Sequence, residues 1–293
     1  MSLNKTYNIC YACDDNYAPL AGVSIASFLK NANVEDFFCF YILDNDISSD
    51  NKKKIMSLKW IKNCEIKFVD VDKTRFENLY LPSKKGYLSI SAYYRFVISD
   101  LFKDLDRILY VDCDVISTSS IKEFYNIDFG DKYVAVVKDT ACCENQRRLG
   151  FSENEVYFNS GVILVNLELW RKNGLSDSLF ANIKDGLDDQ DILNIVLKGK
   201  TLIVDDKWNW QGKAKHYKEK IYPNLIHFIT AYKPWVTGSK LGFNNEYFKA
   251  LRLTHWNNFY EQNLRRFLPV FHKDRKFIHI CFCGVKTRIR FNK

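Results

Sequence analysis

Short apolar runs rich in β-branched and aromatic residues alternate with helical patterns through the first 140 residues, and this alternation leaves few architectures open. Residues 7–13, 37–43, 64–71, 107–111 and 133–137 read as strands. Residues 17–29, 48–60 and 91–99 read as helices, the second capped by Ser48 or Ser49 with Ile55, Met56 and Trp60 on its apolar face. Strand–helix–strand order predicts an α/β fold, a mainly parallel twisted sheet with helices on both faces. Such sheets bind ligands at the carboxyl ends of their strands. Acids stand at that edge: Asp14-Asp15, Asp44, Asp70 and Asp72, Asp112 and Asp114, and Asp139. They are expected to converge in space. Further on, 157–167 is an apolar run interrupted by Asn159-Ser160-Gly161. Residues 188–197 read as a helix opening with Asp188-Asp189-Gln190-Asp191, and 200–204 as a strand.

The 293 residues suffice for a sizeable core, and 47% hydrophobic against 27% charged residues excludes a disordered chain. No run of about 18 apolar residues predicts a spanning helix, and no apolar leader opens the chain. The nine cysteines are therefore expected to be reduced and mostly buried, in a cytoplasmic protein. Cys10 and Cys13 lie within one strand without a second metal-binding pair nearby, which speaks against a redox or zinc motif. Residues 252–293 hold ten Lys or Arg against Glu261 and Asp274, which accounts for the whole net charge of +8. A neutral body, 1–250, thus precedes a basic, aromatic segment, 251–293.

The strand that ends in Asp112-Cys113-Asp114 carries the strongest chemical signal. Two carboxylates at a strand end can hold one hard divalent cation, Mg²⁺ or Mn²⁺, and such an ion helps a diphosphate leave. An isolated Asp-x-Asp is more often a solvated strand end. Here it has company. Segments 9–17, 88–95, 107–114, 157–167, 189–194 and 227–235, in this order, resemble glycosyltransferase family 8. The resemblance implies a GT-A, Rossmann-like fold, a UDP-hexose donor, Mn²⁺ (or Mg²⁺) dependence and transfer with retention of anomeric configuration. The acceptor it implies is a saccharide, on a lipid-linked cell-surface glycan.

It also implies roles. Ala12, Asp14 and Asn16 correspond to the nucleoside-binding strand end, with Leu88 near the base. Asp112, Asp114 and His227 correspond to the metal ligands, and Lys233 to the diphosphate contact. Arg95, Asp112, Asp139, Asn159, Asp189 and Gln190 correspond to positions around the donor sugar. The chemistry suits these types: acceptors and bidentate donors for hydroxyls, a neutral imidazole for a metal, an ammonium for a growing phosphate charge. Gln190, a poor nucleophile, favours front-face attack by the acceptor over a covalent intermediate. Two positions depart from the family pattern: Thr230, where a Gly is frequent, and Tyr87, where a relative has His.

The basic, aromatic tail suits an anionic lipid surface at the cytoplasmic face. A packed subdomain with solvated charges is the plainer reading, and nucleic acid is not expected as a partner. Rival activities are a UDP-sugar hydrolase or a glycogenin-like self-glucosylating protein. A non-catalytic UDP-sugar binder or a basic nucleic-acid-binding protein is the rival from another class.

Overall fold

The computed structural model describes residues 6–77, 90–140, 142–211, 222–229, 233–235 and 243–256, together with the backbone of three tail strands, 270–273, 277–282 and 285–290. The body strands are β1 (Thr6–Asp14), β2 (Phe37–Asn45), β3 (Cys64–Asp70), β4 (Arg107–Val111), β5 (Val115–Ser117), β6 (Val134–Lys138), β7 (Phe158–Asn166), β8 (Thr201–Ile203) and β9 (Leu225–His227). Seven of them form the central sheet in the order β3-β2-β1-β4-β7-β6-β8, while β5 and β9 pair as a separate ribbon. In the tail, β10 (Val270–Lys273), β11 (Phe277–Phe282) and β12 (Val285–Arg290) make a three-stranded antiparallel sheet.

Period-2 alternation divides the strands between two cores. Tyr7, Ile9, Tyr11 and Cys13 of β1 join Leu109 and Val111 of β4 in one cluster, which the helix Ala18–Lys30 covers. Cys10, Ile108 and Tyr110 join the other, beneath the segment Ile90–Val97 and the helix Asp189–Val196. Burial on both faces explains why these strands read as continuous apolar runs. Each fully buried large side chain contributes about 1.5–3 kcal/mol. Trp256 ties the end of the body to the first helix: it packs on Gly22, where a Cβ would lie 2.2 Å from its ring, and its indole donates to Asn51 Oδ1 at 3.1 Å.

The mainly parallel sheet is as expected, with one reversal. β3, β2, β1 and β4 run parallel, and β6 pairs parallel with β8; β7 alone is antiparallel to its neighbours β4 and β6. The interruption at Asn159-Ser160-Gly161 is a bulge inside β7. Val136 pairs with Ile163 and Lys138 with Phe158, so Val137 alone faces residues 159–162. A bulge takes backbone groups off the ladder and re-aims side chains.

Other expectations need correction. Ile55 is buried as expected, but Met56 and Trp60 are 38% and 63% exposed, and Leu58 is buried in their place. The helix tightens into a 3₁₀ turn at Leu58–Trp60, which shifts the inward face. Segment Ile90–Val97 is 3₁₀ rather than α-helical, and an α-turn follows at Ile98–Leu101. The strand-end acids converge only in part. Asp15 accepts from Ser48 N and Asn51 Nδ2, both at 2.8 Å, Asp44 pairs with Lys52 and Ile47 N, and Asp72 caps Thr74. These acids satisfy local turn donors.

Candidate active site

Three sequence-distant segments meet at the carboxyl edge of β4. Asp112 leaves β4, and its N–H donates to Gly161 O at 2.8 Å, so the antiparallel β7 enters the sheet beside it. Val115 of β5 pairs with His227 of β9, which lays the imidazole against Asp114. Asp112, Asp114 and His227 each offer a ligand atom, and these atoms lie within 4.8 Å of one another. His227 Nε2 is 3.1 Å from Asp114 Oδ1 and 3.8 Å from Asp112 Oδ2.

The hydrogen bonds around His227 define its tautomer. Asn159 Oδ1 accepts from Gly161 N at 3.1 Å and from Asn209 Nδ2 at 2.9 Å, so it is an oxygen and Asn209 turns its own oxygen to the ring. His227 Nδ1 lies 3.1 Å from both amide oxygens. Nδ1 therefore donates, and in the neutral ring the Nε2 lone pair faces two carboxylates. Three acceptors converging without a hydrogen between them suit a cation, and the set of two oxygens and one imidazole fits Mn²⁺ or Mg²⁺ chemistry. Gly161 makes room for this arrangement: a Cβ there would lie 2.1 Å from His227 Cε1 and 2.8 Å from Asp112 Oδ2.

The bulge anchors the neighbouring residues. Ser160, off the ladder, donates its N–H to Gln190 Oε1 at 2.9 Å, and its carbonyl accepts from Arg95 Nη1 at 2.7 Å. Arg95 also donates to Asp112 Oδ1 at 3.0 Å, stands 3.5 Å from Asp189 and lies over the Tyr110 ring. Gln190 Nε2 donates to Asp139 Oδ2 at 3.1 Å and to Tyr157 Oη at 3.3 Å, and Asn159 Nδ2 donates to the same Asp139 oxygen at 3.2 Å. Arg95, Asp112, Asp139, Asn159, Asp189 and Gln190 thus form one hydrogen-bonded and ion-paired group. Asp189 and Gln190 open a helix capped by Asp188 and Asp191, which frees Asp189 from capping. Burial pushes the Asp189 carboxyl up to about 6, with Arg95 opposing and Asp188 and Asp112 reinforcing the shift. Burial pushes Asp114 up too, but the positive charge of His227, when its ring is protonated, and then that of Lys233 outweigh it and hold the carboxyl well below the usual range.

Lys233 Nζ lies 2.5 Å from Asp114 Oδ2 and also donates to Phe228 O. Ala12 and Asp14 lie at the end of β1; Cys113 donates to Ala12 O, and Asp14 Oδ1 accepts from Tyr17 N. Asn16 is exposed in the following turn. Leu88, Tyr87 and Thr230 lie outside the described residues, as do the basic residues Arg265 and Arg266.

The sequence pattern described as Glycosyl transferase family 8 matches residues 8–238. The chain belongs to that family. General stress protein A of Bacillus subtilis (strain 168) is 28% identical over 280 residues, covering 88% of this chain and 97% of that protein. Lipopolysaccharide 1,3-galactosyltransferase of Salmonella typhimurium is 29% identical, covering 86% and 80%. Among solved structures, galactosyltransferase LgtC in complex with donor and acceptor sugar analogs superposes with a TM-score of 0.74 at 23% identity, covering 86% of this chain and 99% of that one. The expected GT-A architecture and family membership are both borne out.

Some residues of this family 8 glycosyltransferase site escaped the sequence reading. Asn194 holds both backbone groups of Phe158, at 2.8 and 2.9 Å, and its place four residues after Gln190 on one helix was a usable signal. Tyr157 Oη donates to buried Asp191, which also receives Arg148. Asn209, whose side chain touches Asn159 and His227, gave no local signal, because both partners are distant in sequence.

Proposed function

We propose that this glycosyltransferase moves a hexose, galactose or glucose, from a UDP-sugar onto a saccharide acceptor with retention at the anomeric carbon. The convergence of Asp112, Asp114 and His227 on one point carries the reading. These three would hold Mn²⁺ or Mg²⁺, which when bound offsets the charge that develops on the departing diphosphate. Lys233, beside them, supplies a second positive charge to that diphosphate. Asp14 and the end of β1 take the nucleoside. Asp189, Arg95, Asp139 and Asn159 face the sugar hydroxyls as acceptors and donors.

Gln190 orients rather than attacks. Its amide oxygen accepts from Ser160 N and from Ser160 Oγ, and its nitrogen donates to Asp139 and Tyr157. A carbonyl oxygen engaged by two donors is a poor nucleophile. This supports direct attack by the acceptor hydroxyl on the face the UDP leaves, the phosphate oxygen taking the proton. A thermal-shift screen tests the donor: UDP, UDP-glucose and UDP-galactose with Mn²⁺ should raise the melting temperature, and GDP- and ADP-sugars should not. The double variant Asp112→Asn/Asp114→Asn should lose both the response and transfer. An unchanged response in that variant refutes the metal assignment, and indifference to every UDP species refutes the donor.

The lipopolysaccharide galactosyl- and glucosyltransferases among the relatives support a lipid-linked acceptor. No helix of the described residues is long and apolar enough to cross a membrane. Composition supports the tail as the contact: residues 252–293 interleave ten Lys or Arg with aromatic residues. Removing 257–293 should abolish co-sedimentation with anionic vesicles; equal binding by both forms refutes the tail's role.

A further inference from the structure

Asn209 is assigned to neither the donor, the metal nor the phosphate, yet it is 1% exposed and touches the His227 ring. It follows the 3₁₀ turn Asp206–Trp208. The next residue, Trp210, accepts His227 N at 2.9 Å and bridges to Ile226. Two consecutive residues therefore grip His227, one by its backbone and one by its ring.

The ring has two ways to distribute its single proton when neutral. Only the Nδ1–H form leaves Nε2 free to bind an ion. Asn159 Oδ1 by itself is a divided acceptor, since it already receives Gly161 N and Asn209 Nδ2. Asn209 Oδ1, at 3.1 Å, is the second acceptor for the Nδ1 proton, and no other donor to it is described. The amide of Asn209 also donates to Asn159, which fixes which end of each amide meets the ring.

We propose that Asn209 is a positioning residue that locks His227 in the Nδ1–H tautomer and so presets the imidazole for the ion. The inference rests on the metal assignment above, but it concerns the ring in the ion-free protein. An outer partner of this kind typically contributes 10- to 100-fold in metal affinity.

Nitrogen-15 chemical shifts of histidine-labelled protein, without metal or nucleotide and at a pH where the ring is neutral, read the tautomer directly. The wild-type protein should carry the His227 proton on Nδ1; a proton on Nε2 overturns the proposal without any variant. Asn209→Leu, near in volume but without an acceptor, should move population to Nε2–H and weaken Mn²⁺ binding by about 10- to 100-fold in calorimetry. Asn209→Asp keeps the acceptor and should restore the wild-type tautomer. If Asn209→Leu keeps Nδ1–H and binds Mn²⁺ within twofold of wild type, Asn209 does not position the ring. Should Asn209→Leu not fold, the wild-type spectrum and Asn209→Asp decide, Nε2–H in Asn209→Asp overturning the proposal. A correct tautomer with no response to UDP would instead count against the donor reading.

Discussion

Replacing Gly161 by Ala adds one methyl group at the tightest point of the site. The new Cβ would lie 2.1 Å from His227 Cε1, 2.7 Å from Nδ1 and 2.8 Å from Asp112 Oδ2, whereas ordinary contact begins at 3.4 Å. The imidazole cannot swing aside freely, because Asn159 and Asn209 hold its Nδ1 and Trp210 holds its backbone. Relief comes from breaking one or both ring hydrogen bonds, about 0.5–1.5 kcal/mol each, or from straining β7, about 1–3 kcal/mol for an overpacked core. Either route costs about 1–3 kcal/mol, which lowers the melting temperature of a domain this size by roughly 2–5 °C. The displaced ring no longer meets Asp112 and Asp114, so the gain from saturating metal, about 2.7 kcal/mol at a hundredfold excess over Kd, disappears. Differential scanning calorimetry with and without Mn²⁺ measures both effects. A Gly161→Ala protein that melts within about 1 °C of wild type and gains the same stability from Mn²⁺ refutes the close-approach argument.

Two further outcomes follow from the charges at the site. Lys233→Met removes a tethered cation from Asp114, so Mn²⁺ alone should bind more tightly while UDP binds roughly 10- to 100-fold more weakly; calorimetric titrations with each ligand check this, and looser Mn²⁺ binding contradicts it. The Asp189 carboxyl stands at about 6 in the folded chain against 3.8 as its reference, so between those pH values the unfolded chain ionises first and stability falls as pH rises, by about 3 kcal/mol in all. In chelator, Asp189→Asn should therefore melt above wild type at pH 8 and level with it at pH 4; a difference independent of pH rules out the buried-charge account.

Strand positions and the acid-bearing edge were legible because a sheet covered on both faces writes itself as apolar runs, and 107–111 matches β4 residue for residue. What stayed hidden depended on long-range pairing. Asn159-Ser160-Gly161 looks like a break in an apolar run whether it is a turn or a bulge, and only pairing with β6 decides. Asp44 and Asp14 stand at equivalent strand ends, yet Asp44 is consumed by Lys52 and the turn at Ile47. Asn209 has no periodic or motif context; its place beside His227 arises from a bridge between Trp210 and Ile226, distant in sequence. The exposure of Trp60 followed from a local switch of helix type that composition does not reveal.

The surplus length of β7 opposite Val137 has a cost and a use. Trimming it to match would restore an unbroken ladder and yield a more regular protein. Ser160 would then spend its amide and carbonyl on β6, leaving Gln190 without its main-chain mooring and Arg95 with Ala92 O in place of two carbonyls. The sheet would close over smoothly, and the molecule would trade the anchors of its candidate site for order.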